Sequence, residues 1–220
     1  MTIHVSAFRW VPPFAQGYVK DLRVRWALEE AGLPYQPTLI DPQVQASGKY
    51  RQWQPFGQVP AYRDDEVDMF ESGAIVLHIA ARSQVLAPSD ESGRARVTSW
   101  VFAALNSIEP HAQNFIHFDA AGAGEAWANQ RRAQLEANLS RKLSMFSAWL
   151  GDKDYLEGRF TAGDLMMATV LRELVDCGVL AQFPTIDAYL RRCLARPAFA
   201  RALEAQLAPF REPIHSEARA

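Results

Sequence analysis

The sequence predicts an α/β amino-terminal domain followed by an all-helical carboxyl-terminal domain. Strand and helix patterns alternate through the first third, a hairpin signal follows, and the periodic stretches beyond residue 91 have helical spacing. A chain of 220 residues suits two modest domains, divided as 1–82, a linker over 83–91, and 92–220.

Each element has its own signal. Ile3–Phe8 reads as a strand and Asp21–Ala31 as a helix, with Leu22, Val24, Trp26, Ala27, Leu28 and Ala31 on the apolar face. Arg23, Arg25, Glu29 and Glu30 are assigned to its polar face. Gly32 is the expected C-cap, Pro34 precedes a strand over Tyr35–Ile40, and the pair of strands implies a parallel βαβ unit. Residues 41–54 read as a short irregular helix. Pro60–Arg63 and Val67–Phe70, separated by Asp64-Asp65-Glu66, form a hairpin, and Ser72–Ala81 a helix. The resulting βαβ-ββα order is that of a thioredoxin-like domain with four strands. Beyond the linker, a long helix over Ser92–Phe118 should bend at Pro110, which withholds a ladder hydrogen bond. Gly122 and Gly124 mark a loop, Ala126–Leu150 a second long helix, and Thr161 with Asp164 a capping box before Leu165–Val170.

Composition narrows the function. With 49% hydrophobic and 22% charged residues the chain can bury a sizeable core. A net charge of −2 without long runs of like charge withholds the electrostatic source of nonspecific phosphate binding, so nucleic acid is not an expected partner. The chain opens directly on a strand pattern, and no apolar run approaches the ~20 residues of a bilayer span. A soluble cytoplasmic protein with no membrane partner is expected. Cys177 and Cys193 have neither CxxC nor metal-ligand spacing and are expected to be buried thiols, with no metal site.

Two segments carry chemistry. In Gln58-Val59-Pro60 the proline reads as a turn residue or, with a cis bond, as a device that presents the Val59 N–H and C=O outward like a free strand edge. Glu71-Ser72 stands at a helix start, where unpaired N–H groups and the dipole attract a carboxylate, a serine adds a hydroxyl, and the acid can meet an ammonium. Ser72 serves equally as a plain N-cap. Together they suit a small zwitterion.

The run Gln54-Pro-Phe-Gly-Gln-Val-Pro60, the Asp65–Phe70 hairpin, Glu71-Ser-Gly-Ala-Ile75, Leu22–Leu28 with Gly32-Leu-Pro-Tyr35, and Thr161-x-x-Asp164 resemble the cytosolic glutathione transferase superfamily, in a bacterial-type form with an atypical loop before the first helix. The likeness spans almost the whole chain. It implies that glutathione is the co-substrate, held by Val59 and Pro60 with Gln58 nearby at its cysteinyl part, by Glu71 and Ser72 at its γ-glutamyl end, and by Gln45, Lys49 or Gln52 at its glycine carboxylate.

Relatives activate the sulfur with a tyrosine near the end of the first strand, or a serine or cysteine at the start of the first helix. Counting back from Gly32-Leu33-Pro34 puts Tyr18 at the latter place and Phe8 or Arg9 at the former, and the loop Arg9–Lys20 holds no serine or cysteine. Tyr18 and Arg9 are therefore the catalytic candidates, with Lys20 and the backbone N–H groups of residues 17–20 as rivals; each can lower a thiol pKa. An electrophile pocket is expected between the domains, lined by Trp10, Phe14, Phe102, Phe115 and Phe118, with His111 and His117 as candidate contacts to acidic substrates. Phe56 matches the position of an aromatic key in the dimers of some relatives, so a homodimer is expected. The implied function is conjugation of small electrophiles in detoxification. The alternatives are a glutathione-dependent isomerase or peroxidase, and a non-catalytic interaction protein of the same fold.

Overall fold

A computed structural model describes residues 2–121 and 126–211; the predicted Gly122–Gly124 loop lies outside them. In chain order the elements are β1 (Ile3–Phe8), α1 (Asp21–Ala31), β2 (Tyr35–Ile40), α2 (Pro42–Ala46), α3 (Gly48–Trp53), β3 (Ala61–Arg63), β4 (Asp68–Phe70) and α4 (Ser72–Ala80). The helices α5 (Glu91–Phe102), α6 (Glu109–Ala121), α7 (Ala126–Leu150), α8 (Ala162–Arg172), α9 (Pro184–Leu194) and α10 (Pro197–Leu207) follow. The chain divides into two compact units, one running to His78 and resuming at Pro197, the other Ile79–Arg196.

The first unit is built on a four-stranded mixed sheet of order β2-β1-β3-β4. β1 and β2 are parallel from Ile3↔Tyr35 to Phe8↔Ile40, while β3 runs antiparallel to both β1 and β4. The sheet thus has the predicted βαβ-ββα order. Gly32 ends α1 at φ +66°, with its N–H directed at the carbonyls of Leu28 and Glu29.

The predicted polar face of α1 is wrong in part: Arg23 and Arg25 are 2% and 1% exposed. Arg25 Nε donates to Asp21 Oδ2 at 2.7 Å, Arg25 Nη1 to the Ala205 carbonyl at 3.2 Å, and Gln206 Nε2 to Asp21 Oδ1 at 2.6 Å. α10 covers that face. Trp26 and Phe199 meet edge to face at 4.9 Å, and Arg201 pairs with Glu29 at 2.7 Å. The last helix therefore belongs to the first unit, although its sequence reads simply as another helix of the carboxyl-terminal domain.

In the second unit α8 is buried throughout except at its final residue. Its capping box forms in both directions: Thr161 Oγ1 accepts from the Gly163 N–H at 3.2 Å, and Asp164 Oδ2 accepts from the Thr161 N–H at 2.9 Å. The Ala162 N–H donates to the Leu86 carbonyl at 2.8 Å, fastening the connecting segment to the start of α8. A Cβ built on Gly163 would lie 2.6 Å from Trp100 Cβ, so α5 and α8 approach too closely there for any side chain. The long helix predicted over Ser92–Phe118 is interrupted before Pro110, not at it. Ala103–Ile108 winds as a π-helix, with the Glu109 N–H bonded to Ala104 O five residues back. Proline lacks the N–H that the Asn106 carbonyl would receive in an α-helical ladder, and widening the preceding turn accommodates that loss.

Candidate functional site

The register of the hairpin assembles the site. Ala61 stands opposite Phe70, so Val59-Pro60, entering β3, and Glu71-Ser72, leaving β4, emerge at the same end of the sheet. β1 and β2 also end there, and Phe8 and Val19 pack with Trp53 against a core of Ile40, Tyr50 and Val59. The starts of α1 and α4 and the carboxyl ends of the parallel strands thus share one edge, the place where open α/β sheets receive ligands.

The Gln58–Ala61 segment is held by side chains. Gln54 Oε1 accepts from the N–H groups of Phe56 at 2.7 Å and Gln58 at 3.2 Å, Tyr50 Oη donates to the Gln58 carbonyl at 2.6 Å, and the Ala61 N–H donates to Ser6 Oγ at 2.7 Å. The Val59–Pro60 peptide is cis. Between these anchors, the Val59 N–H and C=O make no hydrogen bond to any described residue. A short stretch of strand edge is left open to an extended ligand.

Glu71 adopts φ +69° immediately before α4, and its side chain is exposed. Ser72 is the first helical residue rather than the cap that the sequence also allowed. Its Oγ accepts from Arg23 Nη1 at 3.3 Å, which orients the hydroxyl proton away from the guanidinium and adds positive charge behind the helix start. An exposed acid thus stands beside a hydroxyl, helix N–H groups and a buried cation. That arrangement complements an ammonium and a carboxylate on one carbon.

At the start of α1 the backbone discriminates among the predicted activating groups. The Tyr18 N–H donates to the Ala15 carbonyl at 3.0 Å and is already committed. The Val19 N–H makes no hydrogen bond to any described residue, while its carbonyl accepts from Gln206 Nε2 at 3.0 Å and from the Leu22 N–H at 3.0 Å. Tyr18 is half-buried, the Arg9 side chain is exposed, and Gly17 has φ +83°. Gln45, a predicted glycine-carboxylate contact, directs Nε2 at the Gly57 carbonyl at 2.7 Å and so braces the loop, whereas Lys49 and Gln52 lie exposed on α3.

Comparison with known proteins reads this geometry. The profile of the glutathione S-transferase N-terminal domain matches residues 17–81, and that of the C-terminal domain matches residues 116–197. The chain belongs to the cytosolic glutathione transferase superfamily. It is 30% identical over 161 residues to a glutathione S-transferase of Hyoscyamus muticus, covering 68% of this chain and 76% of the relative. It is 28% identical over 197 residues to the disulfide-bond oxidoreductase YfcG of Escherichia coli, covering 82% and 88%. A crystal structure of a Burkholderia graminis glutathione transferase with two glutathione molecules bound per subunit has the same fold, with a TM-score of 0.80 and 23% identity over 93% of this chain and 88% of that one.

The remaining predicted residues fall into two groups. Trp10 and Phe14 are exposed on the loop before α1 of this glutathione transferase. Phe115, predicted to line a substrate pocket, is 1% exposed in the second unit with the Arg132 guanidinium 5.2 Å above its ring; its place is in the helical core. Phe118 is half-buried edge-on to Trp127 at 5.8 Å. Burial, reinforced by Lys142 and Arg141, lowers the His111 pKa below its ordinary value. Phe56, exposed at 69%, meets Phe70 edge to face at 6.1 Å.

Cys193 is buried, and burial, with Asp164 nearby, pushes its thiol far up; Cys177 donates to the Leu174 carbonyl at 3.1 Å. Among the described residues no group of three or more His, Cys, Asp or Glu side chains could hold a metal, and no helix is long and apolar enough to cross a membrane. Sequence reasoning missed Ser6, Arg23 and Tyr50, and named the Val19 N–H only as one of the backbone groups of residues 17–20. Only Arg23 left a signal, as a cation within a helix whose neighbours are almost all core residues.

Proposed function

We propose that this chain is a glutathione transferase that binds reduced glutathione on its first unit, stabilises the thiolate and directs it at a small electrophile. The observation that carries the reading is the pair of uncommitted peptide groups at Val59, set at the same sheet end as Glu71 and Ser72. Val59 pairs in antiparallel fashion with the cysteinyl part of the tripeptide, Glu71 receives the γ-glutamyl ammonium, and Ser72 with the start of α4 receives its carboxylate. Lys49 and Gln52 remain the groups for the glycine carboxylate. The sulfur lies near the start of α1, where the Tyr18 hydroxyl and the Val19 N–H can lower a thiol pKa of about 8.5 toward neutrality, with exposed Arg9 as the candidate cation. Trp10 and Phe14 offer aromatic surface to the electrophile, and Phe56 with Phe70 an apolar patch suited to a homodimer contact. Detoxification in the cytoplasm is the role this chemistry serves.

Titration calorimetry with reduced glutathione tests the reading. Wild-type protein is expected to bind, and Glu71→Gln to bind at least about tenfold more weakly, since a charge-assisted contact to the ammonium is lost. No heat of binding at millimolar ligand would refute the reading and favour an interaction protein. The activating group is tested by Tyr18→Phe, following the ultraviolet absorbance of bound thiolate against pH. A rise of about one pKa unit is expected; an unchanged titration would transfer the role to the Val19 N–H. The relationship to a disulfide-bond oxidoreductase favours one second reading, reduction of a disulfide at the cost of glutathione. Appearance of glutathione disulfide rather than a conjugate would mark it.

A further inference from the structure

A buried chain of hydrogen bonds runs beneath the open edge at Val59. The Ala61 N–H donates to Ser6 Oγ at 2.7 Å, Ser6 and Tyr50 hydroxyls meet at 2.8 Å, and Tyr50 Oη donates to the Gln58 carbonyl at 2.6 Å. The phenol has one proton and spends it on Gln58, so the Ser6 hydroxyl must donate to Tyr50. All links therefore point one way, from the backbone of residue 61 through two side chains to the backbone of residue 58. Ser6 lies in β1, Tyr50 on α3, and both are buried. Burial raises the Tyr50 pKa above its ordinary value, which keeps the phenol protonated and fixes the direction of the chain.

We propose that Tyr50 and Ser6 are positioning residues for glutathione: their hydroxyl chain sets where the Val59 N–H and C=O stand by pinning the peptide groups on either side of them. This rests on the glutathione reading above. Neither side chain touches the ligand. Gln58 has its N–H held by Gln54 and its C=O by Tyr50, Ala61 has its N–H held by Ser6, and the two peptide groups left open between them are those offered to the tripeptide. Removing the phenol hydroxyl leaves the Gln58 carbonyl and the Ser6 hydroxyl unsatisfied, and the segment must shift to recover partners. The Tyr50 ring, edge-on to Trp53 at 6.1 Å and packed with Ile40 and Val59, stays in place in a phenylalanine variant.

The test measures glutathione affinity by calorimetry, well below the unfolding temperature, for Tyr50→Phe, Ser6→Ala and the double variant, with thermal unfolding recorded alongside. Each single variant is expected to bind about tenfold more weakly, and the double variant no more weakly than Tyr50→Phe, because both act through one chain. A purely structural role would lower the melting temperature and leave glutathione affinity at the wild-type value, which would overturn the proposal. Additive losses in the double variant would overturn the shared chain. If Tyr50→Phe does not fold, Ser6→Ala, which deletes a single hydroxyl, decides alone. Absence of glutathione binding by the wild type would overturn the glutathione reading and this proposal with it, whereas wild-type binding with unaltered variants overturns the proposal only.

Discussion

Asp164→Ala is expected to destabilise the protein by about 3–5 kcal/mol, read as a lower urea midpoint by circular dichroism. The carboxylate is fully buried and accepts from the Leu156 N–H at 2.9 Å, the Thr161 N–H at 2.9 Å, Thr161 Oγ1 at 3.0 Å and Tyr189 Oη at 3.0 Å. Alanine would strand all four donors in the core of the second unit, where water cannot replace the lost acceptor. Each stranded donor costs about 1–3 kcal/mol before relaxation, and local rearrangement recovers part of the sum. A loss below about 1 kcal/mol would mean that Asp164 is an ordinary helix cap and not the hub of the helical core.

Asp21→Ala should be comparably damaging, at about 3–5 kcal/mol, for a different reason. Its carboxylate and the Arg25 guanidinium are each 1% exposed and 2.7 Å apart, and Gln206 brings α10 to the same carboxylate. Removing the acid leaves a buried cation still in contact with the neutral Ala205 carbonyl and the face of Tyr35. The desolvation cost of the guanidinium is then uncompensated. Replacing both residues, as Asp21→Ala with Arg25→Met, removes the unpaired charge and should restore most of the stability, because buried ion pairs contribute little beyond an apolar pair of similar size. A double variant no more stable than Asp21→Ala would overturn this account and assign Asp21 a role through Gln206 alone.

These two clusters also show what a sequence displays and what it hides. Thr161 and Asp164 carry their own signature, because a capping box depends on residue types at fixed local spacing. The βαβ unit was equally legible, since Gly32 and Pro34 punctuate it and the apolar residues of α1 recur with helical period. Asp21 and Arg25 were not, because a charged i, i+4 pair has the same spacing whether it faces water or a helix that arrives from almost two hundred residues away. α10 decides which, and its amphipathic pattern says that it packs but not against what.

The site follows the same division. Val59, Glu71 and Ser72 stood out through proline, acid and serine at characteristic places, and the hairpin register explains why they share one end of the sheet. Ser6 and Tyr50 read as a small strand residue and a core aromatic, for their meaning lies in a contact across 44 residues. The open Val19 N–H has no side-chain signature at all, being a property of how the preceding loop spends its other hydrogen bonds.

The left-handed backbone at Glu71 sets the needs of folding against those of binding. A glutamate held there costs on the order of 1–3 kcal/mol relative to relaxed backbone, which a glycine would largely avoid. A search for more stable variants of this protein would therefore be drawn to Glu71→Gly, and would remove the very carboxylate proposed to hold the ligand's ammonium. Selection on stability alone would erode the function it was meant to preserve, so any engineering of this scaffold has to screen binding and folding together.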